Sequence, residues 1–384
     1  MQKEFEIGPI RPPSEAESLL LRITRNCPWN KCKFCRIYKR KQFKTRSIEE
    51  IKQDIDIVAA YRDDVLQLFP EGKSFDSYTL QHRLRTRLAD MPDANAQQYL
   101  YVANWVLSGE RSVFLQDANT MVLTHDKLKE ILVYLKEKLP RIQRITSYGR
   151  VDSLDKFSVS QLESLRSAGL DRIHSGYETG SDKVLELINK GYTKAQEISA
   201  GQKVKASGIE LSIYVMPGVG GRELSHDNAV ETADVINQVN PDFVRIRTFV
   251  SQYGTGLFEE IEAGRLVECT DKGKLMELKK MIEHIDGVDG HLFSDHIINL
   301  LEGIKGNMGT DKEYMLSLIK EFEDLPARQQ KEYQLARRMA MVRTPKDMEL
   351  LSWQQLSKIR STLDGFRSDE EFEEFMLKYL RRYV

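Results

Sequence analysis

The sequence has few cysteines, no excess of charge of either sign and no long apolar run. Four cysteines occur among 384 residues, and 57 basic residues nearly balance 58 acidic ones. With so small a net charge, no global field draws the chain to nucleic acid or to an anionic membrane. The first residues lack the apolar core of a signal peptide, and no apolar stretch reaches the roughly 18 residues of a membrane span. We therefore expect a cytoplasmic protein that does not bind membranes.

Three of the four cysteines lie in one short stretch, NCPWNKCKFC (26–35), here called the cysteine segment. It is compatible with a zinc site, a disulfide or an iron–sulfur cluster. Cytosolic thiols are kept reduced, which argues against a structural disulfide. Structural zinc takes four protein ligands, whereas Cys27, Cys32 and Cys35 supply three and the nearest histidine is His82. Three thiolates with one open position suit a 4Fe–4S cluster whose fourth iron binds an exogenous ligand.

The fourth cysteine, Cys269, lies far along the chain from the other three. We expect it to be a small buried hydrophobic residue. Too few cysteines then remain to bind a second cluster, so we expect one cluster in the chain.

Strand-like stretches alternate with amphipathic, helix-like ones. The six predicted strands cover 18–24, 112–116, 144–149, 171–178, 209–216 and 242–249. Repeated strand–helix units with short links indicate parallel strands joined by right-handed crossovers. The first strand is followed by cysteines and not by the G-x-G-x-x-G fingerprint of an open dinucleotide-binding sheet. The sequence therefore predicts an α/β fold, a partial (β/α)6 TIM-like barrel.

Three of the predicted strands carry one polar face each. The faces comprise Arg144, Thr146, Tyr148 and Arg150; Arg172, His174, Gly176 and Glu178; and Phe243, Arg245, Arg247 and Phe249. Fully buried parallel strands are nearly all apolar. A barrel with a polar lumen explains the pattern, as does a strand edge that faces solvent.

Four regions follow from these elements. Residues 1–16 form an N-terminal tail, and 17–255 form the core barrel with a helical insertion at about 48–110. Residues 256–309 are predicted to close the barrel near the substrate. The charged, helical pattern of 310–384 predicts a C-terminal extension.

The cysteine segment resembles that of the radical S-adenosylmethionine (SAM) superfamily. The signature of that family is C-x3-C-x2-C after the first barrel strand, often with an aromatic residue before the last cysteine. Here the spacing is C-x4-C-x2-C, and Phe34 holds the aromatic position. The extra residue prevents assignment to a characterised subgroup from this segment alone.

Two downstream stretches extend the resemblance. IHSGYETGSDKVLELINKG (173–191) is similar to the fourth-strand region of the coproporphyrinogen-dehydrogenase, elongator and methylthiotransferase branches. That similarity implies that Glu178 approaches the ribose hydroxyls of SAM. YVMPGVGGRE (214–223) resembles the glycine motif beside the adenine, which implies that Met216, Gly218 and Gly220 lie there.

The resemblance also implies contacts to the methionine part of SAM. FLQDANTMVL (114–123) occupies the place of a glycine-rich motif, although its glycines are absent. The residues in that place are Gln116, Asp117, Ala118 and Asn119. Arg150 would pair with the SAM carboxylate, a geometry that suits arginine. Arg247 is a further candidate for cofactor binding.

If the resemblance holds, the cofactors are a 4Fe–4S cluster and SAM. Reductive cleavage of SAM would give a 5′-deoxyadenosyl radical that takes hydrogen from a substrate, which we expect to be a small molecule. A low-potential donor such as flavodoxin or ferredoxin would supply the electron. The basic run RIYKRKQFKTR (36–46) is a solvated surface, a docking site for that acidic donor or a site for a phosphorylated substrate.

GHLFSDHIINL (290–300) contains the candidate catalytic groups. Asp295 and His296 are predicted to handle protons, although a purely structural histidine is an equal alternative. Two other functions stay open: RNA or nucleotide modification, and non-catalytic binding of iron–sulfur or zinc. We expect nucleic acid not to be a partner, since the C-terminal region shows only helices.

Overall fold

The computed structural model describes residues 4–70, 74–89 and 91–383, which form two compact units. The first unit contains the chain up to Pro28, Arg40–His174 and Ala206–Ile209. The second unit contains Trp29–Lys39, Ser175–Lys205 and the chain from Glu210 onward. Each unit combines strands and helices.

The first unit contains a parallel sheet with helices on the connections between its strands. Its elements are β1 (Leu19–Arg22), β2 (Thr24–Arg25), β3 (Lys44–Thr45), α1 (Ile48–Leu68), α2 (Ser77–Leu88), α3 (Asp93–Leu107), β4 (Ser112–Gln116), α4 (His125–Lys138), β5 (Arg144–Tyr148), α5 (Val151–Leu154), α6 (Val159–Ser167) and the first half of β6 (Leu170–Glu178). β4 lies parallel between β1 and β5, and β5 pairs in parallel with β6. β2 and β3 form a separate antiparallel pair.

The periodicities of the sequence explain these elements. Alternate residues of β1, Leu19 and Leu21, are fully buried. On α4 the buried residues recur at helical spacing: Leu128, Ile131, Leu132 and Leu135. Ser47 caps α1 by accepting a hydrogen bond from the Glu50 amide, which fixes where the helical insertion begins.

The second unit continues from the end of β6. Its elements are α7 (Asp182–Leu187), α8 (Lys194–Ala206), β7 (Glu210–Val215), α9 (Ser225–Val239), β8 (Phe243–Ile246), α10 (Gly256–Glu262), α11 (Asp271–His284), β9 (His291–Phe293), β10 (Lys305–Asn307), α12 (Lys312–Glu323), α13 (Ala327–Arg338), α14 (Trp353–Asp364) and α15 (Asp369–Leu380). β7 neighbours β6, and β8 lies parallel between β7 and β9. β10 closes this side as an antiparallel partner of β9.

The predicted fold class is confirmed. All six predicted strands are present, and five of them lie within two residues of their predicted ends. The exception is β8, which ends at Ile246, three residues before the predicted end at 249. The sheet is mostly parallel. α1–α3 form the predicted helical insertion, and α12–α15 form the predicted helical extension. The boundaries of the four predicted regions stay predictions. No helix among the described residues is long and apolar enough to cross a membrane.

The residues of the three polar strand faces are buried or half-buried, and they do not form solvent-facing edges. His174 of β6 is fully buried and lies 3.2 Å, Nε2 to Oε1, from Glu15 of the N-terminal tail. Glu15 also pairs with Arg144 of β5 at 3.0 Å. Thr146 is fully buried as well. The predicted tail therefore supplies a carboxylate to the polar interior of the first unit.

Candidate functional site

The cysteine segment lies between β2 and β3. Cys32 is buried, Cys27 and Cys35 are half-buried, and none is in a disulfide bond. Within the described part of the chain, no three His, Cys, Asp or Glu side chains are arranged to hold a single metal ion. A 4Fe–4S cluster sets a different requirement, because three of its irons each bind one separate thiolate. Three unbridged thiols in one short segment fit that donor set.

Residues 29–33 of this segment are fixed by the chain that follows α7. The Trp29 indole N–H donates to the Asn189 carbonyl at 2.8 Å, and the Asn189 side chain donates to the Lys31 carbonyl at 3.3 Å. The Lys33 amide donates to the Ile188 carbonyl at 2.8 Å. The conformation of the segment is therefore held by hydrogen bonds of the polypeptide itself.

Gly191 permits the close approach of Trp29. Its φ angle is +84°, in the left-handed region that glycine adopts without strain. A Cβ at this position would overlap the indole ring of Trp29. Both the backbone conformation and the contact therefore require glycine.

Lys190 contacts both Glu178, which is predicted to bind the SAM ribose, and Phe34 of the cysteine segment. Its ammonium donates to Glu178 Oε1 at 2.7 Å, and both side chains are at least nine-tenths buried. The same ammonium lies 5.4 Å from the centre of the Phe34 ring and 5.8 Å from that of Tyr192. The Tyr192 hydroxyl donates to the Gly176 carbonyl at 2.7 Å, which ties this group to β6. The structure thus brings Glu178 and Phe34 together around one buried cation.

The glycine motif after β7 is held by a buried acid on α11. The Gly218 amide donates to Glu277 Oε1 at 2.7 Å, and the φ angle of Gly218 is +87°. Burial raises the pKa of Glu277 to about 7, although hydrogen bonds from Ser225, Gly218 and Asn228 oppose that shift. The amide of Met216, two residues before Gly218, donates to the Glu178 carbonyl at 2.7 Å.

Apolar side chains of the second unit surround the same motif. The buried cluster consists of Val184, Ile188, Val219, Phe249, Leu257 and Leu266. Phe34 and Met216 pack against it while staying partly accessible. A Cβ at Gly220 would lie 3.0 Å from Val184, so glycine allows this packing.

The four predicted methionine-binding residues lie in the first unit, and three of them, Gln116, Asp117 and Asn119, already have protein partners. Asn119 is fully buried; it accepts from the Arg150 amide at 3.0 Å and donates to Ser153 at 2.8 Å. Asp117 pairs with Arg22 at 2.7 Å. Asn119 and Arg150 are therefore brought together, since Asn119 fixes the backbone that carries the Arg150 guanidinium.

Gln116 has a different set of contacts. Its amide group bonds to the backbone of the N-terminal tail, accepting from the Gly8 amide at 2.7 Å and donating to the Gly8 carbonyl at 3.2 Å. A third bond goes to the Ile10 carbonyl. These bonds favour a role for Gln116 in holding the tail over a direct contact with a ligand.

The predicted proton-handling pair lies after β9. Asp295 is half-exposed and lies 3.8 Å from Arg245. Burial, together with the charges of Arg247 and Arg337, lowers the pKa of His296 to about 4. That pKa lies far below neutrality and does not favour His296 as a general acid at pH 7.

The basic run after the cysteine segment is not uniform. Arg36 and Lys44 are exposed, but Arg46 is buried and pairs with Asp54 at 2.6 Å. Lys39 donates to the Asn30 carbonyl at 3.1 Å. Part of the run is therefore structural, and the exposed part contains four cations: Arg36, Arg40, Lys41 and Lys44.

Cys269 is buried, as predicted. Burial raises the pKa of its thiol to about 12. The thiol therefore stays protonated at neutral pH, and protonated thiols are poor metal ligands.

Comparison with known families identifies the chain. The sequence model of the radical SAM superfamily matches residues 21–233, more than half of the chain. The chain belongs to the radical SAM superfamily. Its cofactors are those of that family, a 4Fe–4S cluster and SAM. The fold is the TIM-like α/β fold of the family.

Several curated proteins match parts of the chain. A tRNA uridine(34) acetyltransferase of Methanocaldococcus jannaschii is 29% identical over 105 residues, 27% of this chain and 19% of that protein. The heme chaperone HemW of Bacillus subtilis is 20% identical over 158 residues, 41% of each chain. A 4′-phospho-dehydrooxetanocin synthase of Priestia megaterium is 26% identical over 200 residues, 51% of this chain and 23% of that protein. The chain thus spans less than half the length of each.

The sequence did not reveal two residues of the site. Lys190 lies twelve positions after Glu178; α7 ends at Leu187, and a turn with positive φ at Asn189 comes just before Lys190. Arg337 lies in the charged C-terminal region, which carried no functional motif. The one available signal was the glycine at 191, which marks a turn directly after Lys190.

Proposed function

We propose that the chain is an enzyme that cleaves SAM reductively and abstracts a hydrogen atom from a small molecule. Membership of the radical SAM superfamily supports the chemistry. The arrangement of Lys190 between Glu178 and Phe34 carries the proposal, because it links the acid expected at the SAM ribose to the segment expected to hold the cluster.

Each residue has a defined part in this proposal. Cys27, Cys32 and Cys35 would hold the cluster. When bound, the cluster supplies the electron that cleaves SAM to methionine and a 5′-deoxyadenosyl radical. Glu178 accepts hydrogen bonds from the ribose hydroxyls, and Lys190 fixes the orientation of that carboxylate and stabilises its charge.

Other groups position the nucleoside and exclude water. Gly218 and Gly220 let the backbone approach the adenine closely. Phe34 and Met216 supply apolar surface beside it. Asn119 and Arg150 are proposed to contact the methionine part of SAM, with Asn119 holding the Arg150 backbone in place.

Two relatives bear on the substrate. A small molecule is supported by the match to a synthase whose named product, 4′-phospho-dehydrooxetanocin, is a small molecule. RNA modification is the second candidate, since another relative is named for an activity on tRNA uridine. The expectation that nucleic acid is not a partner therefore has no support from the comparisons.

The test is an anaerobic assay. The protein is reconstituted with iron and sulfide, reduced with dithionite and supplied with SAM, and 5′-deoxyadenosine is measured. We expect the nucleoside from wild type and from Cys269→Ala, and none from Cys32→Ala. Both substitutions remove a buried thiol, so only a role in the cluster separates them. Equal yields from both variants, or zinc in place of the cluster without SAM binding, would overturn the proposal.

A further inference from the structure

Arg247 has no counter-charge among the residues that the structure describes. It directly follows β8, and its backbone amide donates to the Val215 carbonyl at 2.9 Å. The residue is half-buried, and its side chain makes no hydrogen bond or ion pair with any described residue. Removing an unpaired guanidinium in part from water costs free energy unless the anion of a ligand balances its charge. The carboxyl ends of parallel strands are also where TIM-like folds bind their ligands.

The loop after β9 is fixed against the same strand end. Asn299 accepts from the Thr248 amide at 3.1 Å and from the Thr248 hydroxyl at 2.7 Å. It also donates to the Ile246 carbonyl at 3.0 Å. These bonds connect the residues on either side of Arg247 to the loop that carries His296. Arg247 and His296 therefore belong to one rigid local structure.

His296 presents a hydrogen-bond donor in this structure. Its Nδ1 accepts from the Ile298 amide at 3.3 Å, so the proton of the neutral ring is on Nε2. Burial and the positive charges of Arg247 and Arg337 keep the ring neutral. A neutral imidazole near the charges of Arg247 and Arg337 supplies an N–H donor without adding to their repulsion.

Arg337 of α13 supplies the second guanidinium. It donates to the Ile297 and Asn299 carbonyls at 3.1 and 3.3 Å, on both sides of the loop, and pairs with Glu302 at 3.1 Å. The residue is 5% exposed, and its Nε has no hydrogen-bond partner. Arg337 also lines an open cavity of about 530 Å³ beside the loop.

Two of the three guanidiniums of this group have a carboxylate partner. They are those of Arg245 and Arg337. Asp295 is half-exposed and 3.8 Å from Arg245, and Glu302 is engaged by Arg337. One cation therefore remains without compensation, and it is Arg247.

We infer that Arg247, His296 and Arg337 form a binding site for an oxyanion group of the substrate, a phosphate or a carboxylate. The inference rests on the proposed function, because it assigns a substrate class to that enzyme. Arginine forks and an imidazole N–H donate several converging hydrogen bonds, which match the oxygens of these groups. This inferred role differs from the expectation that Arg247 binds SAM and that His296 handles protons.

The test uses the reconstituted holoenzyme under anaerobic conditions and measures the thermal midpoint. Inorganic phosphate and acetate are added separately at ionic strength held constant with chloride. A ligand that binds only the folded protein raises the midpoint, here by about 2 °C or more at saturation. Arg247→Gln is the informative variant, because that side chain has no protein partner to lose. The matched control is Arg85→Gln, at an exposed arginine of α2.

We expect a rise from at least one anion in wild type and Arg85→Gln, and its loss in Arg247→Gln. A response to phosphate assigns a phosphorylated substrate, and a response to acetate assigns a carboxylate. The experiment is repeated with saturating SAM, and the rise should persist. No rise in wild type, an equal rise in Arg247→Gln, or a rise that SAM abolishes would overturn the inference. Failure of the proposed function is seen separately, as the absence of any effect of SAM itself.

Discussion

Glu197 is a buried acid without a hydrogen-bond partner among the residues that the structure describes. It lies fully buried in the first turn of α8, and both carboxylate oxygens lack such a partner there. Burial raises its pKa well above the usual value, with the charge of Lys190 opposing the shift. Folding therefore favours the protonated form of this residue.

This pKa predicts a specific pH dependence of stability. The folded state holds the Glu197 proton more tightly than the unfolded state does. The resulting contribution to the free energy of unfolding is complete below the pKa that Glu197 has in the unfolded state. It is lost as the pH rises towards the pKa in the folded state. The slope is at most about 1.4 kcal/mol per pH unit. Urea unfolding between pH 5 and 8 should show this slope in wild type and in exposed Glu186→Gln, and a smaller one in Glu197→Gln. Parallel curves for all three proteins would contradict the assignment.

Lys190 allows a second prediction at the scale of one residue. Without its ammonium, Glu178 becomes a buried carboxylate without its ion-pair partner, and burial favours the protonated form of such a group. Lys190→Met should therefore weaken SAM binding about tenfold or more, whereas Lys190→Arg keeps the charge and most of the affinity. Equilibrium dialysis with the reconstituted protein measures both. Wild-type affinity in Lys190→Met would show that the pair does not support the ribose contact.

At the scale of elements, the turn after α7 determines the conformation of the cysteine segment. Gly191→Ala should lower the iron bound per chain after reconstitution, because the added methyl group displaces Trp29 and the segment with it. Gly208→Ala is the matched control. That glycine also has a positive φ, +75°, but a Cβ there meets no atom within 4 Å.

Both substitutions place alanine at a positive φ, which strains the backbone by about 1 kcal/mol. Only Gly191→Ala adds the steric conflict. Iron content measured after desalting separates the two effects. A similar loss of iron in both variants would attribute it to backbone strain, and no loss in either would show that the segment tolerates the displacement.

The elements were predictable where a local pattern determines them. β4, β5, β6 and β7 carry apolar or β-branched residues, alternating with polar ones in β5 and β6, and turn signals bound them. Each lies within a residue or two of its predicted position. The pairs β2–β3 and β9–β10 were not predicted as such. Each consists of two or three residues, too short for a periodicity, and its pairing depends on contacts distant in sequence.

The candidate site was predictable only where a motif carries it. Glu178 and Gly218 lie in stretches that resemble known motifs. The Glu178 carbonyl accepts a hydrogen bond from the Met216 amide, and the Gly218 amide donates to Glu277. Lys190 and Arg337 are single cations in charged stretches. Nothing in the order of the residues distinguishes them from solvated lysines and arginines, because burial and partners come from the folded chain.

At the scale of the whole molecule, the net charge is close to zero, while the exposed part of the run 36–46 is basic. Long-range attraction of an acidic electron donor then depends on local charge. The rate of reduction by flavodoxin should fall with added salt and in Arg36→Glu, by about twofold to tenfold. The rate of reduction by dithionite should be the same in wild type and in the variant. The control is Arg85→Glu, a charge reversal at an exposed site far along the sequence. Equal slowing in both variants would show that no local docking surface is involved.

The packing of Trp29 in the cysteine segment also gives the protein an intrinsic optical reporter. The chain has three tryptophans: Trp29 in the segment, Trp105 in the core and Trp353, which is 80% exposed. An iron–sulfur chromophore assembled beside Trp29 would accept its excitation energy and quench its emission. In a Trp353→Phe background, cluster assembly and loss under air would be visible as fluorescence from the unlabelled chain, in real time and at micromolar concentration.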